Sequence, residues 1–202
     1  GSGPGGLSAA GRAAQLGISH VLLEKTDHLS DTIYKYQKGK HVMATPSRLV
    51  LRSHLNFEAG KREAVLGVWD KQAAEHKINV MLKADVKAID GTKGNFTLTM
   101  TSGQTIQAEY VILAIGTQGN PNKMRCNGGD LPHIQYQLDD PGEYVDEHIT
   151  VIGSGDAGIE NALGLAADPE QGNVVSIINR SADFARAKSA NVKLLMEAQA
   201  SG

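Results

Sequence analysis

The chain has 202 residues, 41% of them apolar, with a formal net charge of −2. That is ordinary globular composition, enough for one large domain or two small ones. The charge excludes a broad electrostatic footprint for nucleic acid or an anionic membrane, and no apolar run is long enough to cross a bilayer. A single cysteine, Cys126, rules out an internal disulfide or a CxxC pair in this stretch and fits a reducing cytoplasm.

The chain opens on GSGPGG, a GxGxxG pattern at Gly1, Gly3 and Gly6. In such a loop the first glycine permits the tight turn. The second lets the backbone approach a pyrophosphate, and the third lets the helix pack on the sheet. The phosphates then lie against the helix N-terminus, where N–H groups and the dipole favour negative charge. The run LSAAGRAAQLG predicts a closely packed helix, with Gly17 suited to its C-terminal cap. SHVLLEK predicts the next strand, ending at Glu24. An acid roughly 20 positions past the glycines can accept a ribose hydroxyl. Gly1, Gly3, Pro4, Gly5 and Gly6 are therefore the candidate phosphate loop, with Glu24 and Lys25 at the ribose end. A Gly-Ser-Gly start also fits an expression scar; the helix, strand and acid that follow favour the loop.

Residues 26–56 show no clear period and include the basic patch KYQKGK. Residues 58–77 predict a helix with Val65, Val68, Trp69 and Ala73 on one face. A short strand is expected at 79–82, and another begins at 86–89. NFTLTMTSGQTIQA alternates apolar and polar residues around a turn at Ser102 and Gly103, which predicts a β-hairpin. Its return leads into YVILAIG, expected as a buried strand ending at Gly116 and Thr117. Residues 119–130 are rich in Gly, Asn and Pro, so a domain connection is placed between 118 and 148. Cys126 lies there beside Lys123 and Arg125, whose charge favours a thiolate; an incidental loop cysteine is the preferred alternative.

The glycine pattern then recurs. ITVIG predicts a buried strand running into GSGDAG, with Gly153, Gly155 and Gly158 in the same spacing. GIENALGLAA reads as the helix, Asp168 and Pro169 as a turn, and NVVSIIN as the following strand. That strand ends at Asn179, Arg180 and Ser181 without an acid. Arg180 is then placed to meet a 2′-phosphate, which favours NADP over NAD, with Arg186 as a possible second cation. A solvated surface arginine is the alternative. Gly153, Gly155, Asp156, Ala157, Gly158, Asn179 and Arg180 are the candidate residues of this second site. One GxGxxG is weak evidence; two copies in strand-turn-helix-strand context are much stronger.

The segments GSGPGGLSAAGRAA, LLEK, YVILAIGTQGNPN, LPHIQY and ITVIGSGDAGIENA, in that order, resemble the two-dinucleotide-binding-domain flavoproteins. That group includes thioredoxin-reductase-like enzymes, flavin-containing monooxygenases and bacillithiol-disulfide-reductase-like proteins. The resemblance spans nearly the whole chain. It implies an α/β fold of two Rossmann-like three-layer domains, the first carrying the β-hairpin. Residues 1–118 would bind FAD, 119–147 would connect, and 148–202 would bind NADP, with NAD possible. Ala114, Gly116 and Thr117 look like the family's strand-to-turn element that touches FAD. The strand around Asp85 and Val86 looks like the one whose backbone meets the adenine.

The resemblance divides at subgroup level. Thioredoxin reductases carry CxxC shortly before the second glycine loop, where this chain has LPHIQYQLDDP. Bacillithiol-disulfide-reductase-like proteins carry a cysteine where Gly5 stands. The resemblance thus supplies no resident thiol for disulfide reduction. His133 in LPHIQY resembles a monooxygenase stretch, with a histidine ordering an interdomain loop as the alternative. LSDTIYKY is closer to the bacillithiol-reductase-like pattern. A Rossmann unit needs an apolar strand before its first glycine, and the family's NADPH domain continues beyond residue 202. An internal portion of a longer enzyme, truncated at both ends, is therefore expected.

The implied activity is FAD-dependent oxidoreduction, with hydride passing from NAD(P)H to flavin and on to a small-molecule or protein acceptor. A flavin-dependent monooxygenase is the second enzyme reading, and a dinucleotide-responsive binding module is the non-enzyme reading. A homo-oligomer is expected, and no metal site.

Overall fold

A computed structural model describes residues 1–44, 51–117 and 122–201. Residues 45–50, within the aperiodic stretch, and 118–121, at the start of the expected connection, lie outside them. The chain divides into two compact units, Gly1–Tyr136 and Gln137–Gly202.

The first unit begins with helix α1 (Pro4–Gln15). Pro4 suits the first turn, because its fixed φ is helical and its missing N–H has no helical partner there. Gly11 lets the helix sit close to the core, since a Cβ there would lie 2.9 Å from Leu55 Cδ1. The helix ends as its glycine predicts. Gly17 adopts φ +66°, Gly17 N–H donates to the Ala14 carbonyl, and Ile18 N–H to that of Ala13. This is the paired closure of a left-handed cap.

Strand β1 (Leu22–Leu23) is shorter than its sequence suggests. A short helix α2 (Asp31–Tyr34) and β2 (His41–Val42) follow. Strand β3 (Gly60–Lys61) pairs antiparallel with β2, so α3 (Arg62–Glu75) starts later than the expected residue 58. On α3, Val65, Trp69 and Ala73 are buried, but Val68 is 42% exposed. At about 100° per residue, positions i, i+4 and i+8 drift one way and i+3 falls about 60° the other way. Val68 therefore lies off the stripe. The core joins α1, β1, α2 and α3 through Leu7, Ala10, Leu22, Ile33, Val65 and Trp69. Trp69 Nε1–H is satisfied by the Asn56 carbonyl at 3.0 Å.

Strand β4 (Val80–Met81) pairs in parallel with β1. Strands β5 (Val86–Thr92), β6 (Asn95–Met100) and β7 (Thr105–Ala108) form an antiparallel sheet, with the expected turn at Ser102 and Gly103. Gly103 takes φ +87°, as that turn requires.

The predicted strand at 110–115 does not form. Tyr110, Ile112, Leu113 and Ile115 are 68–80% exposed, and no strand among the described residues pairs with them. Apolar sequence tells what a segment can bury, while a strand also needs a neighbour to complete its hydrogen-bond ladder. Further along, the Tyr136 hydroxyl accepts the Met124 N–H at 2.7 Å and donates to the Gly129 carbonyl at 2.8 Å, folding this stretch onto itself.

The second unit is built on a βαβ turn. Strand β8 (His148–Ile152) and strand β9 (Val174–Ile178) pair in parallel, from His148 opposite Val174 to Ile152 opposite Ile178. Helix α4 (Asp156–Leu165) makes the crossover and buries Ile159, Ala162 and Leu165. Asp168 Oδ1 accepts the Glu170 N–H at 3.0 Å, capping the turn that its sequence predicts. Helix α5 (Ser189–Ser201) closes the unit. No helix among the described residues is long and apolar enough to cross a membrane.

Candidate functional site

The two glycine loops fold alike. Gly3 stands at the cap of α1 and Gly155 at the cap of α4, both with extended backbone (φ −67°, ψ −179° and φ −75°, ψ 176°) and no side-chain cap bond. The first-turn N–H groups therefore carry partial positive charge without a side-chain acceptor at the cap. A Cβ added to Gly3 or Gly155 meets nothing within 4 Å, so the approach to each helix end is open. A Cβ on Gly6 would collide with the Gly1 carbonyl oxygen, and one on Gly158 with that of Gly153. In both copies the third glycine lets the helix close onto the start of its own loop.

The first loop touches the 110–117 segment. A Cβ on Gly1 would lie 2.7 Å from the Ala114 oxygen, and one on Gly5 would lie 3.9 Å from Ala114 Cβ. Gly116 follows at φ +66°, and Thr117 is exposed. Ala114 thus stands against the first glycine loop, with Gly116 and Thr117 continuing the chain from it.

Glu24 is more enclosed than a strand-end ribose acceptor needs to be. It is buried, and its Oε2 accepts both the Ser2 N–H and the Ser2 hydroxyl at 2.7 Å. Its Oε1 accepts the Thr26 N–H at 3.2 Å, with the Thr26 hydroxyl also at 3.2 Å. That hydroxyl has one proton, and the His28 carbonyl lies closer, at 2.8 Å. With the proton given to His28, one lone pair on Oε1 is left for a ligand hydroxyl. Ser30, left-handed at φ +59°, completes the network. Its N–H donates to Ser2 Oγ at 2.9 Å and its hydroxyl to the Ser2 carbonyl at 3.1 Å.

Burial pushes the Glu24 carboxyl up, but the Ser2 N–H and hydroxyl and the Thr26 N–H outweigh it, holding it below its ordinary 4.5. Ser2 and Ser30 were not legible as site residues. Only the position of Ser2 inside the motif hinted at a role. Lys25 is exposed. Ala84 N–H donates to the Glu24 carbonyl at 2.8 Å, which sets the start of β5, and so Val86, near Glu24.

At the second loop Gly153 takes φ +108° and its N–H donates to the Ile178 carbonyl at 2.9 Å. Ala157 is exposed, while Asp156 is half-buried. Asn179 shapes the turn after β9, its Nδ2–H donating to the carbonyls of Ser181 at 2.8 Å and Asp183 at 2.6 Å. Arg180 is exposed beside that turn.

Cys126 is exposed and lines an open cavity of about 380 Å³ with Lys123, Met124 and Arg125. His133 is exposed as well. Among the described residues, no group of three or more His, Cys, Asp and Glu is placed to hold a metal ion.

A family model described as pyridine nucleotide-disulphide oxidoreductase matches residues 1–199. The ferredoxin–NADP reductase of Ignicoccus hospitalis is 25% identical over 198 residues, covering 98% of this chain and 60% of that protein. Bacilliredoxin reductase Bdr of Bacillus subtilis is 27% identical over 188 residues, covering 91% and 56%. The solved bacillithiol disulfide reductase Bdr (YpdA) from Staphylococcus aureus superposes with a TM-score of 0.85 at 22% identity, covering 100% and 62%. That likeness shows the fold, the two-part α/β architecture implied by the paired motifs. The chain spans only 56% to 62% of these proteins.

Proposed function

The chain belongs to the pyridine nucleotide-disulphide oxidoreductase family, and from that premise we propose that it is the nucleotide-binding part of an NAD(P)H-dependent flavoprotein oxidoreductase. The observation that carries the reading is the matched geometry of the two glycine loops, one in each unit. FAD is assigned to residues 1–118 and NADP to 148–202, with 119–147 connecting them. When bound, the two cofactors would supply hydride transfer from nicotinamide to flavin.

The residues present fit such ligands. The uncapped first turn of α1 has no acidic residue, so its amides and those of Gly3, Pro4-flanked Gly5 and Gly6 suit a pyrophosphate. Glu24 offers its remaining lone pair to a ribose hydroxyl, with Lys25 beside it. The backbone of Val86 serves the adenine, and Ala114, Gly116 and Thr117 border the flavin side of the loop. Gly153, Gly155, Ala157, Gly158 and the backbone of Asp156 form the second cradle, with Asn179 and Arg180 at its ribose end.

Relatives named ferredoxin–NADP reductase and bacilliredoxin reductase support a redox protein as electron acceptor. A homo-oligomer in a reducing cytoplasm completes the proposal.

The NADP assignment rests on Arg180. Arg180→Ala should lose a charge-assisted phosphate contact of roughly 1.5–3 kcal/mol, or about one to two decades in affinity. The ratio of KM for NADPH to KM for NADH should therefore rise by that factor. An unmoved ratio makes Arg180 an ordinary surface residue and removes the NADP assignment.

Hydride transfer between two cofactors uses no protein thiol. Cys126→Ser should leave NADPH-driven flavin reduction intact, as followed by flavin absorbance in a stopped-flow mixer. A large loss of reduction with FAD still bound would instead point to thiol chemistry at Cys126.

A further inference from the structure

Asp156 opens the first turn of α4, beside Gly155. A carboxylate there stands next to the place assigned above to a pyrophosphate, where a second negative charge is unfavourable unless it is engaged elsewhere. It is engaged elsewhere. Its Oδ1 accepts the backbone N–H of Lys188 at 2.8 Å and the Asn191 Nδ2–H at 2.9 Å. Asn191 also donates to Glu160 Oε1 at 3.1 Å, one turn further along α4.

These bonds reach the far end of the segment that leaves β9. Its near end is shaped by Asn179, through the carbonyls of Ser181 and Asp183. Between the two pins lie Arg180 and Arg186, both exposed. The geometry points to Asp156 as a positioning residue for nucleotide selection. Its side chain ties the segment bearing Arg180 to the glycine loop, and so fixes the spacing between a 2′-phosphate site and a pyrophosphate site. The side chain acts through that segment; only the backbone of Asp156 meets the nucleotide. This rests on the assignment of NADP to the second loop.

The Lys188 and Asn191 bonds share one oxygen, so a conservative change tests what these two contribute. An asparagine carbonyl oxygen can accept both N–H groups, whereas alanine accepts neither. NADP+ and NAD+ share the pyrophosphate and differ in the 2′-phosphate, so calorimetric titration of the full chain with each separates the two sites. Asp156→Ala should weaken NADP+ about tenfold and NAD+ by less than about twofold, while Asp156→Asn keeps the wild-type ratio. Equal losses for both nucleotides, no loss for either, or equal losses in the Ala and Asn variants would each overturn the inference. Should Asp156→Ala fail to fold by circular dichroism, Asn191→Ala takes its place. It should lower the same NADP+/NAD+ ratio, and an unchanged ratio overturns the inference. Arg180→Ala separates the NADP assignment from the role of Asp156. If it leaves the ratio unchanged, the NADP assignment itself fails; if it lowers the ratio and Asp156→Ala does not, only the role of Asp156 fails.

Discussion

Replacing Gly158 with alanine is expected to weaken nicotinamide-nucleotide binding by about one to two decades while the unit Gly1–Tyr136 keeps its fold. The new Cβ would collide with the Gly153 carbonyl oxygen and approach its carbon to 3.0 Å. That obstacle is backbone, so no side chain can swing aside. Gly153 is constrained as well, at φ +108° with its N–H on Ile178. Overpacking of this kind costs roughly 1–3 kcal/mol and occasionally more. Here the displaced atoms are the loop itself, so the loss falls on binding. Gly155→Ala makes the informative partner. Its Cβ meets no protein atom within 4 Å, so the protein should fold and melt normally yet bind NADP+ weakly, because the methyl occupies the approach to the helix end. Normal NADP+ titrations in both variants would show that this loop holds no phosphate.

Glu24→Gln should destabilise the first unit by roughly 1–3 kcal/mol, the cost of one buried donor left without an acceptor. The amide has a single acceptor oxygen. Turned towards Ser2, it leaves its NH₂ facing the Thr26 N–H; turned towards Thr26, it faces the Ser2 N–H and hydroxyl with a donor. The first loop should also loosen, and FAD should dissociate more readily.

The same carboxylate sets a pH dependence. Its folded pKa lies below the ordinary 4.5. Its contribution to stability is therefore present above that value and is lost as pH falls through the lowered one. Acid unfolding of wild type should steepen below about pH 4.5, and Glu24→Gln should lack that component. A chemical-denaturation midpoint equal to wild type at neutral pH would remove Glu24 from the loop's support.

What was legible in the sequence was local. Pro4, the alanines after it and Gly17 define α1 from cap to cap. Alternation in β6 and β7 around Gly103 gives the hairpin, and the apolar runs flanking GSGDAG give the βαβ turn. These signals act over a few residues, through helix caps, turn dihedrals and periodicity. The contacts that hold the loops in shape span much longer separations. Ser2 meets Ser30 28 positions away, and Asp156 meets Lys188 32 positions away. No periodicity encodes such pairs. The misplaced features share a cause. Residues 110–115 have strand composition but no pairing strand among the described residues, and Val68 is apolar yet falls off the buried stripe. In each case the sequence carries the composition of the segment but not the identity of its neighbour.

If each glycine loop holds a dinucleotide and hydride passes between the two, NADPH should reduce the bound flavin. Anaerobic titration of the purified protein with NADPH checks this, with visible flavin absorbance as the readout. The expected result is a yellow protein whose flavin bleaches with NADPH, and a Gly158→Ala variant that bleaches only at much higher NADPH. Turnover in air would then show whether an acceptor is reduced or a substrate oxygenated. A colourless protein that binds one nucleotide only, or a bound flavin that NADPH leaves oxidised, would contradict hydride transfer between two bound dinucleotides.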